Sequence, residues 1–393
     1  MGDKFKSIFD TLWKSSGLVG FKGANALMIV MIILACFFLF LGIKKKFEPL
    51  LLVGIAFGML LTNLPQSELF HSALWTGKNI DYGRVLREGG LLDFLYIGVK
   101  TGIYPCLIFM GVGAMTDFSP ILADPKSLIL GAAAQGGIYL VLILAIVLGF
   151  TGKEAASISI IAGADGPTAI FTTKTLAPDL LAPIAVAAYS YMALIPLIQP
   201  PIMKALTTKK EKVVVMTSKR TVTKRERIIF PIFVTILTVI ILPSVAPLIG
   251  CLMFGNLLKE CGVTERLSET VQNSLMNTVT LFLGISVGAT ATAQQFLTLK
   301  TLEIVALGLL GFILATACGV LMGKFLYLVS KGKINPFIGA AGVSAVPMAA
   351  RVANNLGLKY KKGNYLLMYA MGPNVAGVIG SAVAAGFLMA VFR

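Results

Sequence analysis

A single carboxylate interrupts a very apolar stretch of this chain, in Gly163-Ala164-Asp165-Gly166-Pro167-Thr168-Ala169-Ile170-Phe171-Thr172-Thr173-Lys174. Glycine, proline and three threonines around an aspartate make a poor lipid-facing helix. An ionisable group at membrane depth is costly, so its presence points to an ion or proton path. The Gly-Pro step breaks the helix and frees backbone carbonyls for a cation. The hydroxyls of Thr168, Thr172 and Thr173 add further oxygens. Na⁺ is a hard ion that takes such ligands, and one carboxylate neutralises it without excess charge. The plainer reading is that Asp165 only caps a half-helix.

A second unusual segment runs Asn335-Pro336-Phe337-Ile338-Gly339-Ala340-Ala341-Gly342-Val343-Ser344-Ala345-Val346-Pro347-Met348-Ala349-Ala350-Arg351. It supplies an amide, a hydroxyl and one guanidinium, and its small residues let backbones approach closely. Arginine grips a carboxylate in a bidentate fork. A carboxylated ligand arriving from the cytoplasm therefore has a candidate partner in Arg351; a side chain snorkelling to the interface is the alternative. Tyr191, in Ala188-Tyr189-Ser190-Tyr191-Met192-Ala193, offers a phenol that can hydrogen-bond a carboxylate or pass a proton, or simply packs. Asn374 sits at a further Pro/Gly break, Gly372-Pro373-Asn374. Asn277, Thr278, Thr280, Thr290 and Thr292 are weaker oxygen sources.

Composition sets the frame. Of 393 residues 56% are hydrophobic and 13% charged, with a mean hydropathy of +0.86, as in a polytopic α-helical membrane protein. The net charge of +16 lies mostly on loop Lys and Arg, which suits membrane loops rather than nucleic acid. Residues 1–22 carry an amphipathic stretch (Phe5, Ile8, Phe9, Leu12, Trp13) that reads as an interfacial helix. Cys36, Cys106, Cys251, Cys261 and Cys318 have no metal-ligand spacing and are expected as free thiols, and His71 is the sole histidine. No nucleotide-binding glycine loop, nucleophile elbow or biotinyl-lysine motif appears.

Apolar runs near 24–43, 47–64, 94–116, 127–150, 179–203, 226–243, 245–260, 277–295, 302–329 and 364–391 suggest about ten crossings. Segments 154–175 and 335–356 are semi-polar, Gly-rich and Pro-bearing, and read as re-entrant hairpins. Loop 204–227 holds Lys204, Lys209, Lys210, Lys212, Lys219, Arg220, Lys224, Arg225 and Arg227 against two glutamates, which puts it in the cytoplasm with both termini outside.

The chain also repeats itself in order. Pro49-Leu50-Leu51 through Phe57-Gly58 corresponds to Pro247-Leu248-Ile249 through Phe254-Gly255, Val112-Gly113-Ala114 to Val287-Gly288-Ala289, and Ala162-Gly163-Ala164-Asp165 to Ala341-Gly342-Val343-Ser344. The expected organisation is residues 1–46 (interfacial helix and first span), repeat one at 47–203, a basic loop and linking span at 204–243, and repeat two at 244–393. The fold class is all-α, with the two repeats inverted and the two hairpins entering from opposite sides, the Asp165 hairpin from outside. Inverted repeats are typical of secondary transporters.

At these residues the chain resembles the β subunit of the sodium-pumping biotin-dependent decarboxylases, the oxaloacetate, methylmalonyl-CoA and glutaconyl-CoA enzymes. The matching stretches are Ile161 to Pro178, Tyr189 to Pro201 with Gln199-Pro200-Pro201, Asn335 to Asn355 and Met371 to Gly386. The resemblance implies a multi-pass subunit of the bacterial cytoplasmic membrane that receives carboxybiotin, releases CO₂, consumes a proton and exports Na⁺. It implies a biotin carrier subunit, a carboxyltransferase α subunit and a small membrane anchor subunit as partners, in an oligomeric complex. It carries functional positions onto Asp165, Tyr191, Asn335, Gly339, Ser344, Arg351 and Asn374. Asp165, Asn374, Asn335 and Ser344 are then expected at Na⁺; Arg351, Asn335 and Gly339 at carboxybiotin; Arg351, Tyr191 and Ser344 in catalysis. Tyr189 leaves the tyrosine assignment open. The rival reading from the residues alone is a Na⁺-coupled dicarboxylate secondary transporter; a channel or structural subunit would need no Asp and Arg on opposed hairpins.

Overall fold

The computed structural model describes residues 11–21, 26–46, 48–75, 80–216 and 220–392. Phe5, Ile8, Phe9 and Lys219 lie outside the described residues. Among those described the chain is all-helical, with no strand. The principal helices are α1 (Leu27–Lys44), α2 (Pro49–Thr62), α3 (Leu91–Thr101), α4 (Ile103–Met115), α5 (Lys126–Ala134), α6 (Gly136–Val147), α7 (Gly152–Ser159), α8 (Gly166–Leu176), α9 (Leu181–Leu206), α10 (Lys224–Ile241), α11 (Ala246–Glu260), α12 (Met276–Ala289), α13 (Leu299–Val329), α14 (Met348–Tyr360) and α15 (Leu367–Phe392).

Among the described residues four segments are long and apolar enough to cross a bilayer: α1, Lys126–Val147, α13 and α15. Two bent pairs raise this to six, Leu91–Thr101 with Ile103–Met115 (65°) and Pro178–Met192 with Leu194–Leu206 (64°). The expected ten crossings are not reached by length. At 1.5 Å per residue the 14-residue α2 and 15-residue α11 extend roughly 21–23 Å, against a hydrocarbon core of about 30 Å. α10 opens on Lys224-Arg225-Glu226-Arg227 before turning apolar. Its outward Ile229, Phe233, Ile236 and Ile240 are exposed and bury against nothing, the surface that lipid rather than water solvates.

The scaffold is two reciprocal crossings. α2 packs along α12 and α11 along α4. A Cβ on Gly58 would strike the Ile285 carbonyl, and one on Gly288 the Ile55 carbonyl. In the other crossing Gly255 faces the Met110 carbonyl and Gly113 the Leu252 carbonyl. These four are the glycines that the sequence correspondence pairs, and only a residue without a side chain permits such approach.

α13 ties the two hairpins together. Near its start Lys300 pairs with Glu154, at the mouth of hairpin one. Past its end Ser330 Oγ accepts from the Ile334 amide, at the mouth of hairpin two. Between them Gly311 faces Ala162 and Gly319 faces Gly339, so the hairpin tips approach from opposite ends near the middle of the helix. The basic loop lies at hairpin two: Asn335 Nδ2 donates to the Val214 carbonyl (2.9 Å) and Tyr369 hydroxyl to the Met216 carbonyl (3.1 Å).

Between α2 and α3 the chain is organised by Asp93, whose buried carboxylate accepts from the His71 amide, the His71 ring, the Trp75 indole and the Gly90 amide. Glu68 holds the other ring nitrogen of His71. Hydrogen bonds to Asp93 and then Glu68 raise the His71 pKa above its ordinary 6.5.

Candidate functional site

Hairpin one begins with a capping box. Thr151 Oγ1 accepts from the Glu154 amide and the Glu154 carboxylate accepts from the Thr151 amide, starting α7. A short 3₁₀ turn, Ile160–Gly163, follows. Ala164 adopts the left-handed conformation (φ 56°) and reverses the chain, which sets Asp165 at the N-cap of α8. Its Oδ1 accepts from the Thr168 amide (3.3 Å) and its Oδ2 from the Ser381 hydroxyl (2.7 Å). The residue is 6% exposed and has no ion pair among the described residues. The positive end of α8 offsets part of the cost of burying that charge. A buried carboxylate without a counter-charge still calls for a cation. The capping reading is met by the Thr168 bond, and that bond leaves the ion-site reading open.

Hairpin two is built differently. Asn335 Oδ1 accepts from the Phe337 amide (3.0 Å) and starts a 3₁₀ leg, Pro336–Gly342. The chain then unwinds over residues 343–346 before α14. At the tip the Ser344 amide donates to the Gly163 carbonyl (3.0 Å), joining the two hairpins. The carbonyls at the end of the 3₁₀ leg and in the unwound stretch are taken up by side chains from elsewhere. Gln199 Nε2 donates to Ala340 (2.9 Å) and Gln135 Nε2 to Gly342 (3.2 Å). Asn374 Nδ2 donates to Ala341 (2.9 Å), Val343 (2.7 Å) and Ala345 (3.3 Å). The oxygens of all three amides are buried and unpartnered, as are Ser344 Oγ and Thr168 Oγ1.

Ser344 reaches hairpin one through its amide, Asn374 holds the carbonyls on either side of Ser344, and Asp165 is tied through Ser381 to the helix that carries Asn374. Four other expected residues do not join them. Asn335 has both side-chain atoms engaged at the mouth, with the 3₁₀ leg Pro336–Gly342, roughly 14 Å long, between it and the tip. Gly339 lies where the leg crosses α13 against Gly319, so its part is close packing. Tyr191 donates to the Val305 carbonyl of α13, whereas the ring of Tyr189 lies against Gly166, beside Asp165, with an unpartnered hydroxyl. Arg351 is exposed in the first turn of α14, with no side-chain partner among the described residues. Thr172 bonds the Thr168 carbonyl and Thr290 the Val287 carbonyl, and Asn277 and Thr278 are exposed. Residue chemistry missed Gln135 and Ser381. Gln135 is an amide inside an apolar run, the same signal that marks Asp165. Ser381 follows Asn374 by seven residues, two turns along the same helix face.

On the basic-loop side a cavity of about 780 Å³ is lined by Met216, Arg220, Arg227, Tyr365 and Tyr369, among others. Arg220 pairs with Glu226 and Arg227 with Glu260, so both of its arginines already have carboxylate partners. Leu12 and Trp13, in the helical turn at 11–15, are exposed. The five cysteines are free.

Residues 27–392 match the family model of the Na⁺-transporting oxaloacetate decarboxylase β subunit. The chain is 56% identical to the methylmalonyl-CoA decarboxylase subunit β of Propionigenium modestum, over 95% of this chain and 97% of that one. It is 52% identical to the glutaconyl-CoA decarboxylase subunit β of Acidaminococcus fermentans, over 99% of each. Against the oxaloacetate decarboxylase β chain 2 of Salmonella typhi the identity is 48%, over 97% of this chain and 98% of that one. A family match across nearly the whole chain favours a decarboxylase pump over the symporter. The chain belongs to the β-subunit family of the Na⁺-transporting decarboxylases.

Proposed function

We propose that this membrane subunit decarboxylates carboxybiotin and exports Na⁺ through the junction of its hairpins. The observation that carries the reading is Asp165: buried, with no cation partner among the described residues, bonded to Ser381 of α15, and two residues from the Gly163 carbonyl that receives the Ser344 amide of hairpin two. Na⁺ enters from the cytoplasm, past Asn335, and binds at Asp165, Asn374 and Ser344. Thr168 adds an oxygen.

Carboxybiotin arrives on a biotin carrier subunit, loaded by a carboxyltransferase α subunit, with a small membrane anchor subunit holding the oligomeric complex to the bacterial cytoplasmic membrane. Its carboxylate docks at Arg351, whose guanidinium is free while Arg220 and Arg227 are paired. Desolvation there favours loss of CO₂, because charge spreads as the bond breaks. The N–C bond cleaves, its electron pair stays on the ureido nitrogen, and a proton ends on that nitrogen. Tyr191, with Tyr189 as the nearer phenol to Asp165, passes that proton.

The two crossings with reciprocal glycines support an inverted repeat, 47–203 against 244–393 with α10 as the linking span. Opposed hairpins on such a scaffold allow access to alternate between the two sides, provided the ligands favour one state energetically. The test is decarboxylation of free carboxybiotin by the purified subunit in liposomes, with ²²Na⁺ uptake followed alongside. Asp165→Asn is expected to abolish both Na⁺-dependent activities. Wild-type Na⁺ activation in that variant would sink the reading.

A further inference from the structure

Three carboxamides hold hairpin two, and none of them belongs to it. Gln199, Asn374 and Gln135 donate between them to the carbonyls of Ala340, Ala341, Gly342, Val343 and Ala345. The orientation of each amide follows from its partners: a carbonyl only accepts, so the NH₂ end must face it. The oxygen end is then left pointing elsewhere, and in all three it is buried without a partner. Buried amide oxygens are rarely left so.

Gln135 goes furthest of the three. It sits at the break between α5 and α6 and is 4% exposed. Its Nε2 is shared among the carbonyls of Gly131 (3.4 Å), Gly342 (3.2 Å) and Gly377 (3.4 Å), on its own helix, hairpin two and α15. Its Oε1 faces Gly163, 3.4 Å from where a Cβ would stand. Gly163 is the residue whose carbonyl receives the Ser344 amide, two positions before Asp165. One side chain therefore touches hairpin two and α15 through its donors, and faces the tip of hairpin one with its acceptor.

We propose that Gln135 is a positioning residue that couples Na⁺ at Asp165 to the placement of hairpin two. A cation drawn to the Asp165 carboxylate gains the amide oxygen of Gln135. Electron density pulled toward that oxygen makes the NH₂ end a stronger donor, as hydrogen bonds in series polarise one another. The same ion then tightens the grip on the Gly342 and Gly377 carbonyls. Without the ion those three long bonds are weak and the tip is loosely held. This inference rests on the Asp165 ion site.

The experiment replaces Gln135 by Leu and by Asn in the purified subunit and reads two quantities. One is the Na⁺ concentration for half-maximal carboxybiotin decarboxylation in liposomes; the other is the rise in thermal midpoint that Na⁺ produces in detergent. For Gln135→Leu the half-saturating Na⁺ is expected to rise tenfold or more, and the Na⁺-induced shift to vanish, while the Na⁺-free midpoint stays near wild type. For Gln135→Asn, which keeps the amide on a shorter arm, at least a threefold rise and a reduced shift are expected. A change of less than twofold in half-saturating Na⁺ for a folded Leu variant would overturn the proposal, whatever happens to kcat. If the Leu variant does not fold, the same limit applied to the Asn variant decides. Asp165→Asn is run in parallel. Its retention of Na⁺ activation would remove the ion site itself, whereas its loss with an unchanged Gln135→Leu would remove only the coupling.

Discussion

The two hairpins answer the same problem in opposite ways. Each must bury a broken helix without stranding its backbone. Hairpin one solves this from within: Thr151 and Glu154 cap its first helix, Asp165 caps its second, and a single left-handed residue makes the turn. Hairpin two borrows its support, since its unwound carbonyls are served by Gln199, Asn374 and Gln135 on three other segments. The fixed negative charge sits in the self-contained hairpin. The positive charge, Arg351, follows the borrowed one. A hairpin held by long-range side-chain bonds is the part whose position other groups can set.

Variants at each hairpin sharpen this contrast. The largest effect is expected at Asp165: Asn in its place should lower ²²Na⁺ uptake by roughly 100-fold or more, since the carboxylate at the tip junction is gone, while the capping bond to Thr168 survives and the midpoint barely moves. Asn374→Leu should damage the borrowed hairpin instead. Three carbonyls lose their donor, so stability in detergent should fall by about 2–3 kcal/mol, at about 1 kcal/mol per bond, together with Na⁺ activation. If Asn374→Leu left the midpoint unchanged, the idea of borrowed support would fail.

Ser381→Ala removes one donor to Asp165 and spares both backbones. A rise in half-saturating Na⁺ of roughly fivefold, about 1 kcal/mol, should appear without loss of fold. The smallest effect is expected far from both hairpins. Hydrogen bonds to Asp93 and then Glu68 favour the protonated form of His71, so its folded pKa lies above the unfolded value. Its contribution is then complete below about pH 6.5 and fades as pH rises through the folded pKa. The midpoint gap between wild type and His71→Gln should be widest below about pH 6.5 and narrow as pH rises through the folded pKa, with Na⁺ activation unaltered. A gap that widened with pH would contradict this.

Much of the architecture was legible because charge stands out against apolar sequence. Asp165 and the Pro/Gly breaks marked segments 154–175 and 335–356, and the hairpins run from Gly152 to Leu176 and from Pro336 to Tyr360. The glycine correspondences became physical contacts for the same reason: no larger residue fits where backbones touch. Hydropathy marks about ten crossings where length supports four to six among the described residues, since it does not register that α2 and α11 stop after 14 and 15 residues or that the chain bends 65° at Gly102. The amide support was hidden for a different reason. A neutral glutamine barely shifts hydropathy, and the partners of Gln135 and Gln199 are backbone carbonyls 207 and 141 residues away, with no complementary residue type to betray them. Spacing likewise left Tyr189 and Tyr191 indistinguishable, although their hydroxyls face different neighbours.

The meeting of the tips near the middle of α13 also has an electrical meaning. Carrying one elementary charge across 100 mV takes about 2.3 kcal/mol. If Na⁺ passes Asp165 as proposed, at the tip of the hairpin rather than at either mouth, that work divides into two steps of about 1.2 kcal/mol each, one on each side of the carboxylate. Each step is about twice thermal energy, so decarboxylation drives the proposed export against the membrane voltage in two small rises rather than over one tall barrier.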